Sequence, residues 1–169
     1  MLKTSKIIAR SGIVAALYTA LSLLAFPIAS GAIQVRLGEA FTLLPLLFPE
    51  SIMGLFVGCI AVNFITGTAL LEAILGSVIT LLAGILTCLI GKVVKKTFWK
   101  IILGGLFPVL LNALLLPLIW LWCYNTISYG FILSVLFVLI GQTVSVYGVG
   151  TFILIGIKKL KLKNVDFFK

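Results

Sequence analysis

Residues 101–157 carry no charged side chain, and lysines crowd both ends of that run. Lys92, Lys95, Lys96 and Lys100 precede it; Lys158, Lys159, Lys161 and Lys163 follow it. A helical bilayer crossing takes about 20 apolar residues at ~1.5 Å rise each. The run is too long for one crossing and suits two. Shorter uncharged runs cover 11–35, 40–49, 51–71 and 73–91. The chain is 62% apolar and 10% charged, with mean hydropathy +1.32. Soluble domains are typically about 45–50% apolar and about 25% charged. Too little polar surface remains for a water-soluble enzyme, a secreted disulfide domain or a disordered tail.

The charges also set an orientation. Lys3, Lys6 and Arg10 form one cluster, residues 92–100 a second, and residues 158–169 a third, with Arg36 alone between them. Clusters separated by long apolar runs fit the positive-inside rule, so the net charge of +9 reads as three cytoplasmic anchors rather than a nucleic-acid surface. An even number of crossings must then separate consecutive clusters. The expectation is an all-α integral membrane protein, a single membrane domain over 1–169 with both termini cytoplasmic. Its six segments lie at about 8–28, 39–48, 51–68, 71–91, 101–122 and 129–157, with a turn between 123 and 130. The second segment is short and ends at Pro49-Glu50. Ten residues of α-helix reach only ~15 Å, about half a bilayer core, which points to a discontinuous helix lining a cavity. One kinked helix over 39–68 is the alternative, but it places a basic cluster outside. The N-terminal apolar stretch is longer than a signal-peptide core, so cleavage near Ala29-Ser30-Gly31 is not expected.

Several chemistries are absent. There is no histidine, and Cys59, Cys88 and Cys123 lie far apart in apolar runs, reading as small apolar residues. No phosphate-binding loop of the form G-x-x-x-x-G-K-[ST] occurs. No metal, cofactor or enzymatic activity is expected.

Small residues recur at intervals of four: Gly12, Ala16 and Ala20; Gly54 and Gly58; Gly76, Thr80 and Gly84. Such stripes admit a close helix neighbour, within the chain or on a partner. Polar groups at membrane depth mark binding or ion pathways. Gln34, Arg36, Glu39, Asn63, Glu72, Trp120 and Tyr124 gather at the outer end in this topology, as do Trp122 and Asn125. Asn112, Gln142 and Tyr147 lie along the last two spans. Arg36 and Glu39 could instead neutralise each other, the tryptophans could form an interfacial belt, and Asn112 could bond a neighbouring helix. Glu50, beside a cytoplasmic turn, is expected to be solvated. Together the outer groups describe a cup with aromatic walls and a few carboxylates and amides, the composition of a small-molecule site.

The run IQVRLGEAFTLLPLLFPESIMGLFVGC at 33–59, then Asn63 and LLEAILGSVITLLAG, resembles the queuosine-precursor transporter family QueT. FPVLLNALLLPL at 107–118 and GQTVSVYGVG at 141–150 extend the likeness over nearly the whole chain. The resemblance implies the six-helix fold of the substrate-binding S components of energy-coupling factor (ECF) transporters. It implies capture of a 7-deazaguanine such as preQ1 or queuine from outside. A transmembrane coupling subunit and two cytoplasmic ATPases then supply the power, and the S component topples within the membrane. The first helix would dock the coupling subunit through Ala16 and Ala20, with Gly12 on the same stripe. Relatives are expected to carry an acid where this chain has Gln142, and an aspartate where it has Glu72. Rival readings are an S component for another flat vitamin, an ion-coupled transporter working alone through Glu39 or Glu72, and a membrane enzyme built on those two carboxylates.

Overall fold

The computed structural model describes residues 2–29, 31, 33–125 and 130–162. Among them the secondary structure is entirely helical. Helix α1 spans Leu2–Leu24 and is followed by the single turn α2, Phe26–Ala29. A 3₁₀ helix runs over Leu37–Leu46, then come α3 (Ser51–Ile65), α4 (Leu70–Val93) and α5 (Thr97–Tyr124). The last rod joins α6 (Phe131–Thr143), a π-helical turn (Val144–Gly150) and α7 (Thr151–Leu162). Four stretches are long and apolar enough to cross a membrane: Thr4–Leu24, Leu70–Val93, Thr97–Tyr124 and Phe131–Leu160. Leu37–Leu46 and Ser51–Ile65 are shorter apolar helices. Of the turn expected at 123–130, Cys123 and Tyr124 instead continue α5 and residues 126–129 lie outside the described residues, as does Ser30 of the weighed cleavage site.

The second segment differs from its expected α-helical form. It is a ten-residue 3₁₀ helix, whereas such runs rarely exceed 3–4 residues. At ~2.0 Å per residue it extends to ~20 Å rather than ~15 Å. Pro45 lacks the N–H that an α-helix would direct to Phe41, and the Thr42 hydroxyl donates to the Glu39 carbonyl oxygen at 2.6 Å. Neighbouring backbones also crowd this segment. A Cβ at Gly150 would lie 2.6 Å from the Ala40 carbonyl oxygen, and one at Gly91 would lie 3.0 Å from the Leu46 Cα. A tightly wound rod fits between them. The segment is buried from Gly38 to Leu46 and packs against α1, α3, α4, α5, the π turn and α7, so it forms the axis of the fold.

Helix α1 rests on α3 through close backbone contact. A Cβ at Gly54 would meet the Ser11 carbonyl oxygen at 2.5 Å, and one at Gly58 would meet Ala15 and Tyr18 at 3.0 Å. Gly54 and Gly58 therefore pack within the chain. Gly12, Ala16 and Ala20 are exposed; Gly12 edges the groove between α1 and α3, with nothing within 4 Å of a Cβ built on it. Gly76 and Gly84 face α3 and α5 side chains inside the bundle. Glu50 is not simply solvated. Its carboxylate accepts from Arg10 at 2.8 Å and its backbone carbonyl accepts from Ser11 Oγ at 2.7 Å, tying α1 to the turn before α3.

Candidate functional site

Three helix ends meet where the cup is expected. Helix α3 closes with a left-handed Gly67 (φ +72°), the Thr68 N–H donating to the Asn63 carbonyl at 3.1 Å and the Gly67 N–H to Phe64 at 3.3 Å. This is a Schellman termination. It turns the chain sharply at Asn63 and brings Thr66 and Thr68 beside it; both hydroxyls donate to the Asn63 carbonyl. Helix α4 starts two residues later and carries Glu72 in its first turn, where the helix dipole favours a carboxylate. Helix α5 ends at Tyr124 with Asn125 in the left-handed region (φ 52°), a conformation that asparagine tolerates.

These ends converge on Glu72. Trp120 Nε1–H donates to Glu72 Oε1 at 2.8 Å, and the Tyr124 hydroxyl donates to Oε2 at 2.6 Å. The Ala69 N–H, uncapped at the head of α4, donates to the same Tyr124 oxygen at 3.3 Å. On the facing wall Arg36 donates to Asn63 Oδ1 at a long 3.5 Å, and Asn63 Nδ2 points to Cys59 Sγ at 3.6 Å. Burial disfavours the Arg36 charge. Surrounding groups, Glu39 and Glu72 among them, outweigh that and raise its pKa above the ordinary arginine value.

Between these walls lies a cavity of about 170 Å³. Drug-sized ligand sites are ~300–1,000 Å³, so this one suits a small molecule. Gln34, Arg36, Asn63, Glu72 and Trp120, five of the ten candidates, line it. Tyr124 stands behind Glu72 as its hydrogen-bond donor. Glu39 does not line the cavity. It is fully buried, accepting from the Tyr18 hydroxyl at 2.6 Å and from Thr80 at 3.4 Å, and Tyr18 is the residue that reaches the cavity wall. No Arg36–Glu39 ion pair forms among the described residues.

The remaining three candidates lie elsewhere. Asn112 donates to the Pro108 carbonyl at 2.8 Å within α5, and Gln142 is wholly buried on α6; neither lines the cavity. Among the described residues Asn112 Oδ1 and both side-chain polar atoms of Gln142 find no hydrogen-bond partner. Tyr147 donates to the Ile102 carbonyl at 2.7 Å, near the opposite end of α5, with its ring over Gly105. The two tryptophans considered for a belt divide: Trp120 turns inward to Glu72, while Trp122 is 72% exposed.

Tyr18, Ser22, Cys59, Thr66 and Thr68 also line the cavity and were not foreseen. Tyr18 had a signal, a phenol in the middle of an apolar span where its hydroxyl needs a partner. Thr66 and Thr68 flank the glycine that ends α3. Ser22 and Cys59 had none. Among the described residues no group of three or more His, Cys, Asp or Glu side chains comes together to hold a metal.

The QueT transporter family model matches residues 8–159, most of the chain. The chain belongs to the QueT transporter family. No curated protein matches the chain, and no solved structure does. Membership in a transporter family, with four helices long and apolar enough to cross a bilayer, places this QueT chain in a membrane. The cup is then a candidate transport site, with the matched residues running through all of its walls.

Proposed function

We propose that this QueT chain is the substrate-binding S component of an ECF transporter, in a bacterial cell membrane, with six membrane segments and both termini cytoplasmic. It takes up a queuosine precursor, a 7-deazaguanine such as preQ1 or queuine. A transmembrane coupling subunit and two ATPases supply the work. The observation that carries the reading is the Glu72 carboxylate, held on both oxygens by α5 and facing a small cavity with Arg36 and Asn63 opposite. A deazaguanine presents its ring N–H and exocyclic amine as adjacent donors. An ionised carboxylate offers about four lone-pair sites. Trp120 and Tyr124 occupy one on each oxygen, leaving one on each for two parallel bonds to the base. Arg36 supplies a donor for the ring carbonyl, and the amides of Asn63 and Gln34 suit the remaining ring edge. The Trp120 face gives the flat ring, or an aminomethyl ammonium, a surface to stack on, worth ~0.5–2 kcal/mol for the cation.

Two features support dependence on partner subunits. The sequence has no nucleotide-binding loop. The Gly12–Ala16–Ala20 face of α1 is exposed, with small residues that let a partner helix approach.

Titration calorimetry with preQ1 tests the site. Wild type binds, and Glu72→Gln, which replaces one acceptor by a donor, loses at least tenfold, about 1.4 kcal/mol. A smaller loss refutes the carboxylate model. Uptake by cells lacking any coupling subunit refutes the ECF assignment.

A further inference from the structure

Where the 3₁₀ helix ends, α5 starts and α7 passes, a second cavity of about 240 Å³ opens, away from the cup. Its apolar floor includes Leu46, Ile101 and Leu154, and Lys95, Lys100 and Lys158 ring it. Two of the lysines are held in place. Lys100 Nζ donates to the Gly91 carbonyl at 2.6 Å, and Lys158 Nζ donates to Thr97 Oγ1 at 2.7 Å. An ammonium has three donors, so each keeps two for a ligand. The described carboxylates are engaged elsewhere: Glu39 with Tyr18, Glu72 with Trp120 and Tyr124, Glu50 with Arg10. Among the described residues none of these three lysines forms an ion pair. Thr97, also in the wall, opens the 28-residue α5, and among the described residues no side chain caps that helix. Its first amides therefore lack intrahelical acceptors and favour an anion.

Between the lysines the cavity wall is apolar, with Leu46, Leu47, Ile101 and Leu154 in it. At the helix ends next to it in sequence, Val93 closing α4 is 77% exposed and Phe98 in the first turn of α5 is 67% exposed, and Trp99 packs edge-on against Phe98. A tryptophan beside lysines at a helix end marks the headgroup level of a bilayer. An anion that sits here has hydrocarbon next to it.

We propose that this lysine-ringed cavity seats the phosphodiester of an anionic phospholipid, such as phosphatidylglycerol, with its acyl chains leaving along the apolar wall of Leu46, Leu47 and Ile101 toward the exposed Phe98. The phosphate oxygens take the spare ammonium donors of Lys100 and Lys158 and the first amides of α5. Lys95 adds charge at the rim. Basic pockets between helices on the cytoplasmic side are suited to such headgroups. The site is independent of which solute the cup binds.

Native mass spectrometry of the full chain in detergent, with equal amounts of phosphatidylglycerol and phosphatidylcholine, tests it. Phosphatidylglycerol is retained about tenfold over phosphatidylcholine. Lys100→Gln/Lys158→Gln removes that preference, and Lys159→Gln, exposed and outside the cavity, preserves it. Lys95→Gln, at an exposed position that cannot unfold the chain, weakens the preference by about threefold. Equal retention of the two lipids overturns the proposal, as does an unchanged preference in Lys95→Gln. Displacement of the lipid by millimolar inorganic phosphate overturns it in favour of a soluble-anion site. Displacement by an acidic peptide overturns it in favour of a protein contact.

Discussion

The Tyr124 hydroxyl donates to Glu72 Oε2 at 2.6 Å across the mouth of the cup, joining the last turn of α5 to the first turn of α4. The Tyr124 hydroxyl oxygen accepts the uncapped Ala69 N–H, so one phenol orients the carboxylate and completes the helix start. In the proposed reading Tyr124 is a positioning residue, acting on ligand through Glu72.

Tyr124→Phe leaves one Glu72 oxygen and the Ala69 N–H without their partner. A hydrogen bond to a charged group contributes about 1.5–3 kcal/mol, but this pair is partly solvated and the lower figure applies. The preQ1 affinity should fall about tenfold, with a modest drop in melting temperature. In a double-mutant cycle Tyr124→Phe should have little effect once Glu72→Gln is present. Full additivity would mean that Tyr124 touches the ligand independently.

The two buried acids should behave differently. Glu39 is walled off from the cup and accepts from Tyr18 and Thr80. Glu39→Gln keeps those acceptors and should lower preQ1 affinity by less than threefold, against at least tenfold for Glu72→Gln. Glu39→Ala opens a cavity beneath Tyr18 and strands its hydroxyl, so it should cost about 2–4 kcal/mol of stability. Calorimetry and thermal unfolding in detergent read the two effects separately. Equal affinity losses in Glu39→Gln and Glu72→Gln would contradict the assignment of Glu72 as the ligand contact.

The sequence made the helical segments legible because charge and hydropathy act along the chain. The second segment was visible as a short, proline-bearing run, and Gln34, Arg36, Asn63, Glu72 and Trp120 were visible as polar or aromatic residues near one end. Its 3₁₀ winding was not visible, because it depends on how closely Gly91 and Gly150 bring other backbones to Leu46 and Ala40. The same limit separates Glu39 from Glu72. Both are lone acids in apolar runs, and only helix rotation decides that one faces Tyr18 and the other faces the cup. Tyr147 lies on the last rod like Gln142, but its ring packs on Gly105, near the start of α5.

Gly54 and Gly12 offer a matched stability test. Gly54→Ala forces a methyl to 2.5 Å from the Ser11 carbonyl oxygen, so α1 must shift off α3. Overpacking of this kind costs about 1–3 kcal/mol. Gly12→Ala meets nothing within 4 Å and removes a helix-interior glycine, so it should be neutral or stabilising by about 0.5–1 kcal/mol. Thermal unfolding in detergent distinguishes the pair, and equal melting temperatures would contradict the α1–α3 contact.

The exposed stripe on α1 allows ligand capture and transport to be tested separately. Ala16 and Ala20 point away from α3 and from the cup, so enlarging them leaves the chain's own packing intact. Ala16→Leu/Ala20→Leu should bind preQ1 within twofold of wild type and unfold at a similar temperature. If α1 is the docking face, the added branches hold a coupling helix off the close approach that small residues allow. Uptake by cells carrying the complete module should then fall at least tenfold. Undiminished uptake by this variant would move the docking face off α1, while lost binding would mean that α1 shapes the cup from behind through Tyr18.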